Sequence, residues 1–268
     1  MEKRGGSNVP KSRQRTSSKC PQQSVLPKKM GAITDMDLGK EYDLDRDFSL
    51  DSEELDGKNP LLQTILSGDI EQLERIFEDP EEPLHSRAMS LIMKEDAVGR
   101  NLLFTACIAG QSNVIRTLAK YGVNLNEKTT RGYTLLHSAA AWGRLDTLKV
   151  LVDLEVDLDV LNFLNETARD IALRYSKMEC VDYLDFAAAQ LALKKAIAKV
   201  QGMLLDPEKG QGKLSREDKN LLTSACRSKS EWLELHPNAT VEELVEQKQQ
   251  LEDIVNPVFL KMTTPRKY

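Results

Sequence analysis

The chain has 268 residues, a formal net charge of -5, and 40% hydrophobic and 29% charged residues. That length and apolar content can fill one or two ordinary cores, which excludes a wholly disordered chain. The acidic balance argues against nucleic acid as the main partner, because phosphate binding requires a concentrated basic field.

Charge is segregated at the N-terminus. Lys3, Arg4, Lys11, Arg13, Arg15, Lys19, Lys28 and Lys29 make the first stretch basic, whereas Asp35 to Asp56 is almost wholly acidic. Two opposed charge blocks with few large apolar side chains bury too little surface to offset chain entropy, so residues 1–57 are predicted to be a disordered charged tail. The start MEKRGGSNVPKSRQR has no apolar run of signal-peptide type, and no later stretch is apolar for long enough to span a bilayer. A cytoplasmic protein without membrane insertion is expected, with cytoskeletal association as one form of that location. Cys20, Cys107, Cys180 and Cys226 are widely spaced and form no CxxC pair, which fits reduced thiols better than a disulfide or zinc framework.

Two short patterns fall in the tails. Asp43, Asp45, Asp47, Ser49, Asp51 and Glu54 match the ligand spacing of an EF-hand loop, but Phe48 stands where that loop needs glycine. No metal is therefore expected, and the run reads as an acidic segment able to order on a partner. Ser18 after Arg13 and Arg15, and Thr264 before Pro265, are phosphorylation candidates whose modification would add negative charge to a basic tail.

From Asn59 onward the chain repeats. GRNLLFTACIAGQSNVIRTL from Gly99, GYTLLHSAAAWGRLDTLKVL from Gly132 and NETARDIALRYSKMECVDYL from Asn165 align with an offset of 33 residues. In that register Leu103 matches Leu136, Ala106 matches Ala139 and Ala172, Ile115 matches Leu148 and Val181, and Leu118 matches Leu151 and Leu184. Small residues on a first helix let a second helix approach closely, and the large apolar positions give that second helix a buried face. An earlier copy is visible in NPLLQTILSGDIEQLERIF, with Gly68 between its helices. Between it and the next copy lies the surplus EDPEEPLHSRAMSLIMKEDAV, expected as an enlarged loop.

GYTLLHSAAAWG and YGVNLN resemble the ankyrin-repeat family. The resemblance implies an all-α ankyrin-repeat solenoid of about four helix-turn-helix repeats over residues 58–190. In such repeats the histidine, here His137, hydrogen-bonds local backbone at the start of the first helix. Ser138 beside it is read as a solvent-side position, and the pair as structural, since no acid or nucleophile constellation surrounds it. The family recognises partner proteins with its finger tips and the exposed side of its first helices. The positions here are Val98, Arg100, Ile108, Thr130, Arg131, Tyr133, Trp142, Phe163, Leu164, Arg174 and Tyr175. A surface position for Tyr133 implies that Tyr133→Ala leaves stability nearly unchanged.

Beyond the repeats, Leu193, Ile197, Val200 and Leu204 share one helix face, and DPEKGQGK ends that helix. Ser215 opens a second helix with Leu221, Leu222, Ala225, Trp232 and Leu233 as its apolar side. A capping box of Thr240 and Glu243 opens a third, expected to stop at Asn256-Pro257. Residues 191–268 are thus expected to form a small helical hairpin or bundle. GKLSREDKNLL, CRSKSEWLE and EELVEQKQQLEDIVNPVF resemble the C-terminal lid of seventy-kilodalton heat-shock chaperones, without the nucleotide-binding half or the peptide-gripping sandwich of those proteins. The expected function is a non-enzymatic cytoplasmic adaptor or scaffold with no cofactor, binding a protein through the ankyrin surface. The alternatives are a co-chaperone element acting through the helical tail on heat-shock chaperone machinery, and a scaffold on cytoskeletal components or at cell division regulated by phosphorylation.

Overall fold

The computed structural model describes residues 59–205 and 214–263. In order, the helices are α1 (Leu62–Ser67), α2 (Ile70–Glu78), α3 (Ala88–Ile92), α4 (Leu102–Ala109), α5 (Ser112–Lys120), α6 (Leu135–Ala141), α7 (Leu145–Asp153), α8 (Ala168–Arg174), α9 (Met178–Leu205), α10 (Arg216–Leu235) and α11 (Val241–Thr263). No strand is formed among the described residues; one isolated antiparallel bridge joins Lys128 and Thr134. The charged tail, its EF-hand-like run, Ser18 and Thr264 lie outside them.

The helices build two layers. First helices α1, α4, α6 and α8 stack side by side, and second helices α2, α5, α7 and the start of α9 stack behind them. The 33-residue period reappears in the backbone: positive φ recurs at Gly99, Gly132 and Asn165, at Gly110, Gly143 and Ser176, and at Gly122 and Glu155. Between the two helices of a pair the left-handed residue reverses the chain at once. Glycine takes that conformation without a Cβ clash, while Ser176 and Glu155 adopt it at some cost in the last copies. At Gly99 the space is also closed, since a Cβ there would sit 3.0 Å from the backbone nitrogen of Thr130.

Between the layers lies one apolar core. Leu103, Ala106, Ile115, Leu118, Ala139, Leu148, Leu151 and Ala172 are each 0% exposed. The surplus chain after α2 is more than a loop. It forms a 3-10 turn (His85–Arg87) and α3, and Ala88, Leu91 and Ile92 enter the core. Asn59 ties it to the first repeat, its Nδ2 donating to the Leu91 carbonyl at 2.8 Å.

The expected boundary at residue 190 falls inside α9, a single helix of 28 residues and about 42 Å. Cys180, Val181 and Leu184 at its start belong to the solenoid core, whereas Leu193, Ile197 and Val200 belong to a second core with Leu222, Cys226, Leu244, Leu251 and Val255. Helices α10 and α11 pack against that second half and against each other. Two expectations are corrected here. Leu221 lies off the packed side and is 49% exposed. And α11 does not stop at Asn256-Pro257 but continues through Pro257 to Thr263. Proline forfeits one backbone donor inside a helix, yet Val255 and Val258 on either side of it are 4% and 2% exposed, and their burial holds the helix through the defect.

Cys107, Cys180 and Cys226 are buried free thiols, and burial raises the pKa of each. Within the second core Lys229 is only 8% exposed. Its ammonium donates to Gln247 Oε1 at 2.7 Å and Gln250 Oε1 at 2.6 Å, and burial lowers its pKa.

His137 occupies the third position of α6 and is 1% exposed. Its Nδ1 accepts from the Thr134 backbone N–H at 3.1 Å, and its Nε2 lies 3.0 Å from the Glu166 carbonyl in the next repeat. A ring that accepts at Nδ1 and meets a carbonyl at Nε2 is neutral and carries its proton on Nε2. Burial, with a smaller repulsion from Lys128, lowers its pKa from 6.5 to about 4. Beside it Ser138 is also buried, its hydroxyl 3.4 Å from the Thr134 carbonyl, so the expected solvent-side position is corrected.

The His137 pKa is lower in the folded chain than in the unfolded one, so the unfolded chain binds more protons between pH 6.5 and about 4. Stabilisation by the neutral ring is therefore complete above pH 6.5 and is lost as pH falls toward 4, on the order of 3 kcal/mol in all. Chemical denaturation from pH 7 to 4 should show wild type losing more stability than His137→Gln; parallel pH curves for the two would refute the assignment.

Candidate functional site

Two surfaces border the first-helix layer: the row of turns that precede each first helix, and the side of those helices facing away from the second layer. The turns are tied edge to edge. Thr130 donates to the Val98 carbonyl through both its backbone N–H and its hydroxyl, each at 3.1 Å. Phe163 N–H donates to the Arg131 carbonyl at 2.9 Å. Asn162 folds the last turn, its Oδ1 accepting from Leu164 and Glu166 N–H at 2.9 Å.

At that last turn the backbone presents apolar side chains to solvent. Leu161, Phe163 and Leu164 are 50%, 38% and 37% exposed, and the Arg131 guanidinium lies 5.6 Å from the Phe163 ring centroid. Thr130 is exposed, and Val98, Arg131, Trp142, Arg174 and Tyr175 are half-buried. Arg144, which the sequence argument did not single out, holds its guanidinium 5.9 Å from the Trp142 ring centroid while its Nε donates to the Ile108 carbonyl at 2.8 Å. Leu161 was likewise passed over. No local signal in the sequence marked its exposure.

Three expected surface positions are corrected. Arg100 is 6% exposed and its Nε pairs with Asp96 Oδ2 at 2.7 Å; the same carboxylate accepts from the Val98 and Arg100 backbone amides at 3.0 and 2.8 Å. Ile108 is 1% exposed and Tyr133 is 0% exposed. Tyr133 forms a small apolar cluster with Ala141 and Ile171, flanked by Trp142 and Tyr175, and its ring meets His137 and Phe163 edge-on at 5.8 and 6.0 Å. The physical reason is the composition of the outward stripe on the first helices: Ile108, Ala141 and Ile171 are apolar, and apolar surface is driven out of water.

Arg131 and Arg174 bring positive charge to the turn row, and Arg174 is paired to Glu166. Among the described residues no group of three or more His, Cys, Asp or Glu is placed to hold a metal. No described helix is long and apolar enough to cross a membrane.

A family model described as ankyrin repeats (three copies) matches residues 56–162. The chain is similar to ankyrin repeat domain-containing protein 45 of Homo sapiens, with 63% identity over 213 residues, 80% of this chain and 80% of that protein. It is also similar to the Danio rerio protein of the same name, with 42% identity over 203 residues, 75% of this chain and 91% of that protein. A shorter match, 35% identity over 74 residues, links 28% of this chain to 7% of protein phosphatase 1 regulatory subunit 12A of Mus musculus.

Burial converts directly into a stability prediction. Leu148→Ala and Tyr133→Ala should each cost about 2–5 kcal/mol, because both side chains are fully enclosed, whereas Thr130→Ala should cost less than about 0.5 kcal/mol. Urea titration of the three variants decides it; a Tyr133→Ala midpoint matching that of Thr130→Ala would return Tyr133 to the surface.

Proposed function

We propose, for a chain that belongs to the ankyrin-repeat family, that its solenoid is a non-enzymatic adaptor gripping a protein partner along the turn row and the adjoining first helices. The observation that carries this is the exposed cluster Leu161, Phe163 and Leu164 beside Arg131. Contiguous exposed apolar side chains with an arginine and, nearby, half-buried Trp142 and Tyr175 have the composition of an interface centre. Thr130 and Arg174 line the same border and fit the polar rim of such an interface, and half-buried Val98 adds apolar contact beside Thr130. The cytoplasm is the expected compartment, because three buried free thiols suit a reducing environment.

A second function fits the helical bundle. Leu235 and Val245 on it are 76% and 55% exposed, and Trp232 stacks on His236 at 4.6 Å. Together with its resemblance to a chaperone lid, this supports docking of the bundle on chaperone machinery.

Because α9 serves both cores, cutting the chain near residue 190 would damage both, so the test uses substitutions in the full chain. Affinity capture from lysate is compared for wild type, Leu161→Asp/Leu164→Asp and Leu235→Asp, each checked for unchanged melting. The adaptor reading expects a partner that is lost with the turn variant and kept with Leu235→Asp. Loss only with Leu235→Asp would move the function to the bundle.

A further inference from the structure

Helix α10 packs against α9 and α11 through Leu222, Ala225, Cys226, Trp232 and Leu233. Its outer flank is built differently. Leu221 and Leu235 stand there 49% and 76% exposed, and neither belongs to the core of the bundle. They are 14 residues apart, nearly four whole turns, so the two positions lie about 21 Å apart along the helix and within about 40° of one direction. Ser228, exposed and small, falls seven residues from each. Beside that line Arg227 and Glu231 are exposed, with Arg227 Nε donating to Glu231 Oε1 at 2.7 Å. A helix face with a large apolar side chain at each end, equidistant from a small polar centre, is the same read from either end.

We propose that this flank of α10 binds a second copy of the chain, the two α10 helices lying antiparallel about a two-fold axis at Ser228. That axis sets Leu221 at the height of Leu235 of the second copy. Each leucine is turned about 20° from Ser228, to opposite sides, so the four side chains pack beside one another instead of colliding. At the axis serine meets serine, and small side chains there let the helix axes approach to about 8 Å. Charge selects the direction. In the antiparallel pair Arg227 of each copy comes about 3 Å in height from Glu231 of the other, on the same side, so two guanidinium and two carboxylate groups alternate about the axis. A parallel pair would set arginine on arginine and glutamate on glutamate. The patch therefore complements itself, which is the requirement of an isologous dimer. One helix pair is small against the ~1,200 Å² or more that stable interfaces bury, so the dimer exchanges with monomer at micromolar concentrations. Pairing through α10 leaves the turn row open and makes the adaptor bivalent. It also occupies Leu235, so the dimer and a partner docked on that part of the bundle exclude each other.

Sedimentation equilibrium of the purified full chain from about 1 to about 200 μM tests this without any other protein, so its failure is distinct from failure of the adaptor function. Expected is a monomer–dimer equilibrium that Leu221→Asp/Leu235→Asp weakens about tenfold or more, with melting unchanged. Arg227→Glu makes the centre wholly acidic and Glu231→Arg makes it wholly basic, and each should weaken the dimer about fivefold or more. An equimolar mixture of those two variants should dimerise again. Both have lost the bond within the helix, so recovery on mixing comes only from contact between chains. A chain that stays monomeric over the whole range, a dimer that keeps its affinity in the leucine variant, or a mixture that dimerises no better than either charge variant alone would each overturn the proposal.

Discussion

The spacing between the two helix layers is set by a methyl group. Ala106, Ala139 and Ala172 occupy the same position in successive repeats, each is fully enclosed, and each belongs to the core between the first and second helices. Everything outward of that contact inherits its geometry. Ile115, Leu148 and Val181 share one buried core with Leu103 and Leu136, and that core runs from the first repeat into α9. A larger side chain at any of the three would force the layers apart, and overpacking of this kind is felt through a whole stack because each repeat is supported only by its neighbours. The turns are tied to one another by backbone bonds such as Thr130 to Val98 and Phe163 to Arg131, so their relative positions follow from the same spacing.

The second constraint is the continuity of α9. In a chain of two domains joined by a flexible linker, relative motion is the ordinary expectation. Here one helix supplies Val181 and Leu184 to the solenoid and Leu193 and Ile197 to the bundle, so neither core can rotate without bending it. The pair of Arg169 and Asp185 braces the junction, and Lys195 reaches back to Asp159 at 3.2 Å. The solenoid and the pair α10 and α11 are therefore joined by one continuous helix rather than by a linker.

How much of this was legible in the sequence depends on which physical cause governed each position. The period, the layer contacts and the caps were legible because local chemistry decides them: alanine and leucine at fixed spacing, Gly68 between helices, Ser215 with Asp218, Thr240 with Glu243. His137 was legible as structural for the same reason, although its bond to Glu166 across the repeat boundary is a tertiary fact. The stop expected at Pro257 failed because a propensity rule was overridden by burial of Val255 and Val258. The surplus after α2 reads as a loop because its charges and prolines hide Ala88, Leu91 and Ile92. Arg100, Ile108 and Tyr133 were assigned to the surface by their place in the repeat. The sequence register says which way a side chain points, and it does not say what lies opposite.

That last distinction bears on how the site works. A repeat protein that recognises partners with an inner face ordinarily keeps that face polar enough to stay soluble when empty. The stripe here is Ile108, Ala141 and Ile171 with Tyr133 between them, and the apolar exposure that remains has moved to the turn at Leu161, Phe163 and Leu164. The two regions touch through the Tyr133–Phe163 ring contact at 6.0 Å. An apolar stripe of this kind lowers its free energy by being kept out of water, and Ile108, Ala141 and Ile171 are all buried.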